Sequence, residues 1–182
     1  MPIAPRALID ATVLDVDGAP VRLASTWAER PVVLVLLRHF GCLFCKEQAA
    51  EMSAIGDEIE ALGAGLVFVG SGSAQYAQWF QEDYAPRWPV YSDAELVTYQ
   101  ALEARRGFRS SVNPRTVWLS FRALAHGFRQ GGTQGDQYQQ GAVCIVTPDG
   151  AMPYLHRSEV AGDHPRPADV LAVLRGLHIA AR

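Results

Sequence analysis

The stretch Pro31-Val-Val-Leu-Val-Leu-Leu37 runs directly into Arg38-His-Phe-Gly-Cys42-Leu-Phe-Cys45, and this passage decides the fold. A continuously apolar run rich in β-branched residues fits a central strand covered on both faces. After it the spacing changes. Met52, Ile55, Ile59 and Leu62 recur three and four apart, and Gly63 stands where a helix end favours positive φ, so the pattern predicts a helix from Cys42 to Leu62. A buried strand, a cysteine-bearing turn and a helix thus follow one another without a linker.

Toward the C-terminus the alternation continues. Leu66-Val-Phe-Val69 reads as a second buried strand, and Ser71-Gly72-Ser73 offers an N-cap to a helix through about Tyr84. Pro89 to Ser92 is a short strand, and Ala94 to about Arg105 a helix ended by Gly107. Toward the N-terminus, Ala11 to Leu23 alternates around Asp17-Gly18, which predicts a β-hairpin on a sheet edge. Asn113-Pro114 opens an amphipathic stretch with Val117, Trp118, Phe121, Leu124, Ala125 and Phe128; it reads as a helical insertion whose aromatic residues form a core stripe. Gln130 to Gly141 is too rich in glycine and glutamine to be regular and reads as a candidate active-site loop. Ala142 to Val146, the Pro148-Asp149-Gly150 turn and Met152 to His156 make a second hairpin, and Pro167 to about Leu177 a closing helix. The expected fold is α/β: a central mixed β-sheet flanked by helices, with an N-terminal β-hairpin and a helical insertion, in a single domain spanning 1–182.

With 182 residues, 49% of them hydrophobic and 19% charged, the chain suits one globular core rather than a disordered or fibrous chain. The formal net charge of -3, without a basic run, gives no footprint for a polyanion, so nucleic acid is not an expected partner. No apolar run approaches the ~20 residues that span a bilayer, so no membrane is expected either. Met1 to Asp10 shows no basic region followed by an apolar stretch and cleavage site. Three cysteines, two of them spaced CxxC, suit a reducing compartment, and the expected address is cytoplasmic.

The chemistry is expected on that pair. At a helix N-terminus the free N–H groups and the helix dipole favour a negative sulfur, which makes Cys42 the expected nucleophile. Cys45, one helical turn on, is placed to attack a mixed disulfide on Cys42 and release product. Arg38 and His39 lie just before the pair, and a nearby cation favours a thiolate; Arg38 is preferred because His39 must first be protonated. A CxxC can also be half of a zinc site, whose other ligands would come from Cys144, His39, His126, His156, His164 or His178; no second CxxC or HxxxH occurs, so redox chemistry is favoured and neither metal nor cofactor is expected. Cys144, within Ala-Val-Cys-Ile-Val, reads as an inert buried thiol, and His156 as a packed histidine.

The string Arg38-His-Phe-Gly-Cys-Leu-Phe-Cys-Lys-Glu-Gln48 resembles the RxFGCxFCRxQ motif of the peroxiredoxin-like branch of the AhpC/TSA superfamily, which includes prostamide/prostaglandin F synthase-like proteins. Gln134-Gly-Asp136, Gln140-Gly-Ala-Val, Pro148-Asp-Gly150, His156-Arg157 and Gly162-Asp-His-Pro165 fit the same branch. The resemblance implies a thioredoxin-like fold, a redox pair on Cys42 and Cys45, and Gln140-Gly141 facing the cysteines across the site. It further implies a thiol-dependent oxidoreductase with an antioxidant role, reducing a small peroxide or disulfide-type substrate at the expense of a thioredoxin- or glutathione-type electron donor. Peroxiredoxins carry Thr or Ser three residues before the peroxidatic cysteine. Here His39 stands three before Cys42, and Cys42 three before Cys45, so that alignment would exchange the two roles. A thioredoxin-type protein disulfide reductase, and a non-catalytic binding or zinc module, are the alternatives.

Overall fold

The computed structural model describes residues 1–107, 127, 131–132 and 135–180, with the backbone alone for 178–180. The stretch read as a helical insertion, with Val117, Trp118, Phe121, Leu124, Ala125 and Phe128, lies outside the described residues, as do 130, 133 and 134 of the candidate loop and His126.

The order of elements is α1 (Arg6–Ile9), β1 (Thr12–Leu14), β2 (Pro20–Arg22), a 3₁₀ turn (Leu23–Trp27), β3 (Val32–Leu37), α2 (Leu43–Ala54), α3 (Gly56–Ala61), β4 (Gly65–Gly70), α4 (Ala74–Tyr84), β5 (Val90–Ser92) and α5 (Val97–Ala101). After the central segment come β6 (Ala142–Val146), β7 (Tyr154–Arg157) and a last helix, α6 (Pro167–Ala180). The strands form one mixed sheet in the order β2-β1-β5-β4-β3-β6-β7. β3 runs parallel to β4, from Val32 beside Gly65 to Leu37 beside Gly70, and β4 parallel to β5. β6 is antiparallel to β3, and β7 to β6.

Every residue of β3 and β4 is buried, because both faces of the sheet are covered. Alternate side chains point to opposite faces. Val33, Val35 and Leu37 join Leu66 and Phe68 in a core with α2, α3, α4 and α6, while Val32, Leu34 and Leu36 meet Leu8, Trp27, Tyr99 and Cys144 on the other face. The N-terminal hairpin sits on the sheet edge beside β5, as expected. In its turn the Asp15 carboxylate accepts the N–H groups of Asp17 (3.0 Å) and Ala19 (2.8 Å), and Gly18 takes φ +82°.

Two helices differ from the sequence reading. The helix expected over Cys42–Leu62 is broken at Ile55, where φ −98° and ψ 6° leave the helical range, beside Gly56, at which a β-carbon would lie inside the Trp88 indole. Periodicity could not register this break, since Met52, Ile55, Ile59 and Leu62 on either side still face one core. The helix expected over Ala94–Arg105 shrinks to α5. The buried Asp93 carboxylate accepts the N–H of Val97 (3.1 Å) and of Thr98 (2.8 Å), and Leu96 adopts φ 60° to let it. Gly107 does not cap that helix; its N–H donates to the Tyr138 carbonyl at 3.0 Å. β7 also starts later than expected, because Ala151 pairs with Ile3 and the Met152 N–H donates to the Pro2 carbonyl (2.7 Å).

The cysteine turn therefore lies past the carboxyl end of β3, flanked by the residue after β4 (Ser71) and the residue before β6 (Gly141). Crevices at the carboxyl ends of parallel strands are where open α/β sheets bind their ligands.

Candidate active site

Cys42 is the N-cap residue of α2, with φ −74° and ψ 126°, and its carbonyl accepts the N–H groups of Cys45 (3.1 Å) and Lys46 (3.2 Å). The turn before it closes through the Cys42 N–H to the His39 carbonyl at 3.1 Å. Phe40 pins the turn to the sheet: its ring packs 5.5 Å from that of Phe80 and fills the space that a β-carbon at Gly70 would need. Both sulfurs are deeply placed, Cys42 being 1% and Cys45 2% exposed.

Arg38 organises the pair. Its backbone N–H donates to Cys45 Sγ (3.1 Å), and its Nη1 to Cys42 Sγ (3.4 Å). The rest of the guanidinium is tied to the loop, Nε to the Gln139 carbonyl (3.1 Å) and Nη2 to the Gln137 carbonyl (2.6 Å). Ser71 Oγ donates to the Arg38 carbonyl (2.6 Å) and accepts the Asp136 N–H (3.3 Å). Beneath, the buried Tyr99 hydroxyl donates to the carbonyls of Leu37 and Val69.

The two thiols are driven apart electrostatically. The Cys45 thiol, donating to the Cys42 sulfur, holds Cys42 well below the ordinary thiol range against the opposing effect of burial, and Arg38 and His39 add to the lowering. Cys45 is held well above that range, first by burial, then by its bond to Cys42 and by the charge on that sulfur. One proton is thus shared by two sulfurs and stays on Cys45. His39 is 3% exposed; burial lowers its pKa, against the attraction of Cys42, and its Nδ1 has no hydrogen-bond partner among the described residues. Of the two groups before the cysteines, Arg38 is therefore the standing cation.

The candidate loop does return to the cysteines. Gly131 N–H donates to the Gly41 carbonyl (2.9 Å). Gly141 shares a small cavity with Cys45 and packs so tightly on Leu36 that a β-carbon would overlap the Leu36 carbonyl oxygen. Gln140 is fully buried, but its N–H donates to the Arg105 carbonyl (2.8 Å) and its Nε2 to the Tyr138 carbonyl (3.3 Å), so these contacts hold the loop. Beside the turn, Phe40, Gly41, Lys46, Tyr76, Trp79 and Tyr84 line a groove of about 210 Å³.

Cys144 lies on β6 on the far face of the sheet, and burial pushes its thiol up to about 12. His156 is packed, with Nε2 3.3 Å from the Asp163 carbonyl. Among the described residues no group of three or more His, Cys, Asp and Glu could hold a metal ion, and no helix is long and apolar enough to cross a membrane. Sequence reasoning missed Ser71, Tyr99 and the Gln137 and Gln139 carbonyls. Ser71 carried a usable signal, since it directly follows a predicted parallel strand; backbone carbonyls carry none.

A mixed sheet in this order, with paired cysteines at the mouth of the helix that follows its central strand, defines a protein of the thioredoxin fold. Solved structures agree: peroxidoxin BcpB from Mycobacterium tuberculosis superposes with a TM-score of 0.69 at 19% identity, covering 97% of this chain and 99% of that one. Bacterioferritin comigratory protein from Xanthomonas campestris does so at 0.69 and 15%, covering 98% of each chain.

The chain belongs to the AhpC/TSA antioxidant enzyme family, whose model matches residues 51–160, a segment that begins just after the cysteine pair. It is 34% identical over 146 residues to prostamide/prostaglandin F synthase from Salmo salar, covering 78% of this chain and 72% of that protein. It is also 29% identical over 168 residues to the chloroplastic thioredoxin-like protein AAED1 of Arabidopsis thaliana, covering 87% and 68%.

Proposed function

We propose that the chain, as one domain spanning 1–182, is a thiol-dependent oxidoreductase that reduces a small peroxide or disulfide-type substrate through a Cys42–Cys45 disulfide cycle. The observation that carries this reading is the asymmetry of the pair: Cys42 Sγ accepts from Arg38 Nη1 at 3.4 Å and is held as the more acidic thiol, while Cys45 keeps its proton. With a peroxide, the Cys42 thiolate attacks one oxygen; the O–O bond breaks, the alkoxide leaves and takes up a proton, and Cys42 becomes a sulfenic acid. The Cys45 thiol then condenses with it, forming the disulfide and releasing water. An external thioredoxin- or glutathione-type thiol returns two electrons and two protons.

An antioxidant role fits the description of the family as antioxidant enzymes, and a cytoplasmic address fits the cysteine usage. The same geometry favours Cys42 over Cys45 as attacker, against the exchanged roles of the peroxiredoxin alignment. Gly141 supports the site by its close backbone approach, Arg38 by its charge, and His39 and Gln140 by holding the turn and the loop.

Thiol-dependent turnover of hydrogen peroxide, an alkyl hydroperoxide and a model disulfide should be measured for wild type, Cys42→Ser and Cys45→Ser. Wild type should turn over at least one of them, Cys42→Ser none, and Cys45→Ser only once per reduced chain. Equal rates in the three proteins would sink the reading, and a Cys45→Ser protein with no first reaction would reverse the roles.

A further inference from the structure

Cys45 must give up a proton each time it attacks Cys42, yet its burial holds that proton in place. A base is needed within reach. Behind Cys45 lies a cavity of about 10 Å³, the size of a single water molecule, lined by Cys45, Arg38, Gln48, Ser158, Asp163 and His164 among others. His164 comes from the loop between β7 and α6, and its side chain is only 8% exposed. Its Nε2 lies 3.1 Å from Glu51 Oε2, on the same helix as Cys45.

We infer that His164, oriented by Glu51, is the base that takes the Cys45 proton across this one-water space; the inference rests on the Cys42–Cys45 cycle proposed above. The other titratable or charged groups facing Cys45 are unsuited to the task. Arg38 is a donor without acceptor capacity. Tyr99 donates to the Leu37 and Val69 carbonyls, and burial raises its phenol well above its usual range. The Asp163 carboxylate accepts the Glu159 N–H (2.9 Å) and lies 3.8 Å from His156 Nε2, so it is engaged in its own loop. Cys42 is the group under attack. Imidazole alone among them has one ring nitrogen that can accept a proton while the other donates. With Nε2–H donating to Glu51, Nδ1 is the accepting nitrogen, and the carboxylate stabilises the imidazolium that forms.

The step balances. For a mixed disulfide between Cys42 and a thiol R–SH, Cys45 Sγ passes its proton to His164 and bonds to Cys42 Sγ; the bond from Cys42 to R–S breaks, and R–S⁻ leaves. The imidazolium then gives its proton to solvent beside the partly exposed Glu51. When a reductant opens the Cys42–Cys45 disulfide, the relay runs backward and Cys45 recovers its proton.

Reduced protein mixed with dithiodipyridine separates the two sulfurs. Capture of Cys42 releases one thiopyridone, and attack of Cys45 on the captured Cys42 releases a second. Wild type should show both phases and Cys45→Ser only the first; a wild type without the second phase would sink the cysteine cycle itself. In His164→Gln the first phase should be unchanged while the second slows on the order of 10²-fold near pH 7, the range of a lost general base, and recovers about tenfold per pH unit as alkali does the deprotonation. Glu51→Gln, which keeps the imidazole, should slow the second phase by about tenfold. A second phase in both variants within about twofold of wild type, or slowing of both phases together without a change in pH profile, would overturn the assignment of His164.

Discussion

Gly141→Ala and Gly176→Ala are the same chemical change, and the structure assigns them opposite signs. At Gly141 the added β-carbon would fall well under 3.0 Å from the Leu36 carbonyl oxygen, 3.5 Å from its carbonyl carbon and 3.9 Å from the Arg38 nitrogen. All three are backbone atoms of β3 and the turn after it, with no side chain that could swing away. β6 must therefore back off β3 at their active-site end, an overpacking that costs about 1–3 kcal/mol. For a chain of this length that lowers the melting temperature by roughly 3–10 °C. The same displacement carries Gln139 with it, and with it the carbonyl that accepts Arg38 Nε at 3.1 Å, so the guanidinium loses its aim at Cys42. At Gly176, an exposed position inside α6, a β-carbon meets nothing within 4 Å and φ is helical, so alanine should stabilise by about 0.5–1 kcal/mol through backbone entropy alone. Thermal unfolding of the three proteins gives the stabilities, and the iodoacetamide rate at Cys42 near pH 7 gives the site. Gly141→Ala should melt lower and alkylate more slowly; Gly176→Ala should melt higher and alkylate as wild type does. A Gly141→Ala protein that melts with wild type would show that β6 does not bear on β3 as described.

Two further outcomes follow from buried groups. In the folded chain Cys144 keeps its proton up to about 12, whereas in the unfolded chain it ionises near the ordinary 9.0. Between those values the unfolded state binds fewer protons, so this thiol's contribution to stability is full below pH 9 and is lost with rising pH by about 1.4 kcal/mol per pH unit. Urea unfolding near pH 8 and near pH 10 should therefore find the stability difference between wild type and Cys144→Ala smaller by roughly 1 kcal/mol at the higher pH, and a constant difference would refute the linkage. Asp93→Ala removes the acceptor for the N–H groups of Val97 and Thr98 and for the Thr98 hydroxyl (2.6 Å), and should cost about 2 kcal/mol or more in denaturant unfolding, with Asp93→Asn losing less. A loss under about 0.5 kcal/mol would show that α5 does not depend on that carboxylate.

What could be read ahead of the structure divides along a physical line. β3 and β4 were legible because a strand buried on both faces must be apolar throughout, and Pro31–Leu37 and Leu66–Val69 have no alternative partner for that much apolar surface. The N-terminal hairpin was legible because its turn chemistry is local: Asp15 and Gly18 shape it within five residues. The break between α2 and α3 was not, since the ring packed against Gly56 beside it, Trp88, lies more than thirty positions downstream. The short α5 escaped for a different reason. Asp93 competes for N–H groups that a longer helix would have used, and only its burial makes that competition decisive.

For the proposed site, the sequence by itself determined the candidate reagents: two cysteines one helical turn apart, at the start of a helix, with Arg38 just before them. Spacing is a local property, and a turn of helix converts it directly into proximity. Only the tertiary structure decided their states. Which sulfur holds the proton depends on burial, on the direction of one thiol hydrogen bond and on a guanidinium aimed by carbonyls about a hundred residues away, at Gln137 and Gln139. Likewise the His164–Glu51 pair behind Cys45 joins residues 113 positions apart. Charge and solvation act through space, so no reading along the chain can supply them until the chain has folded.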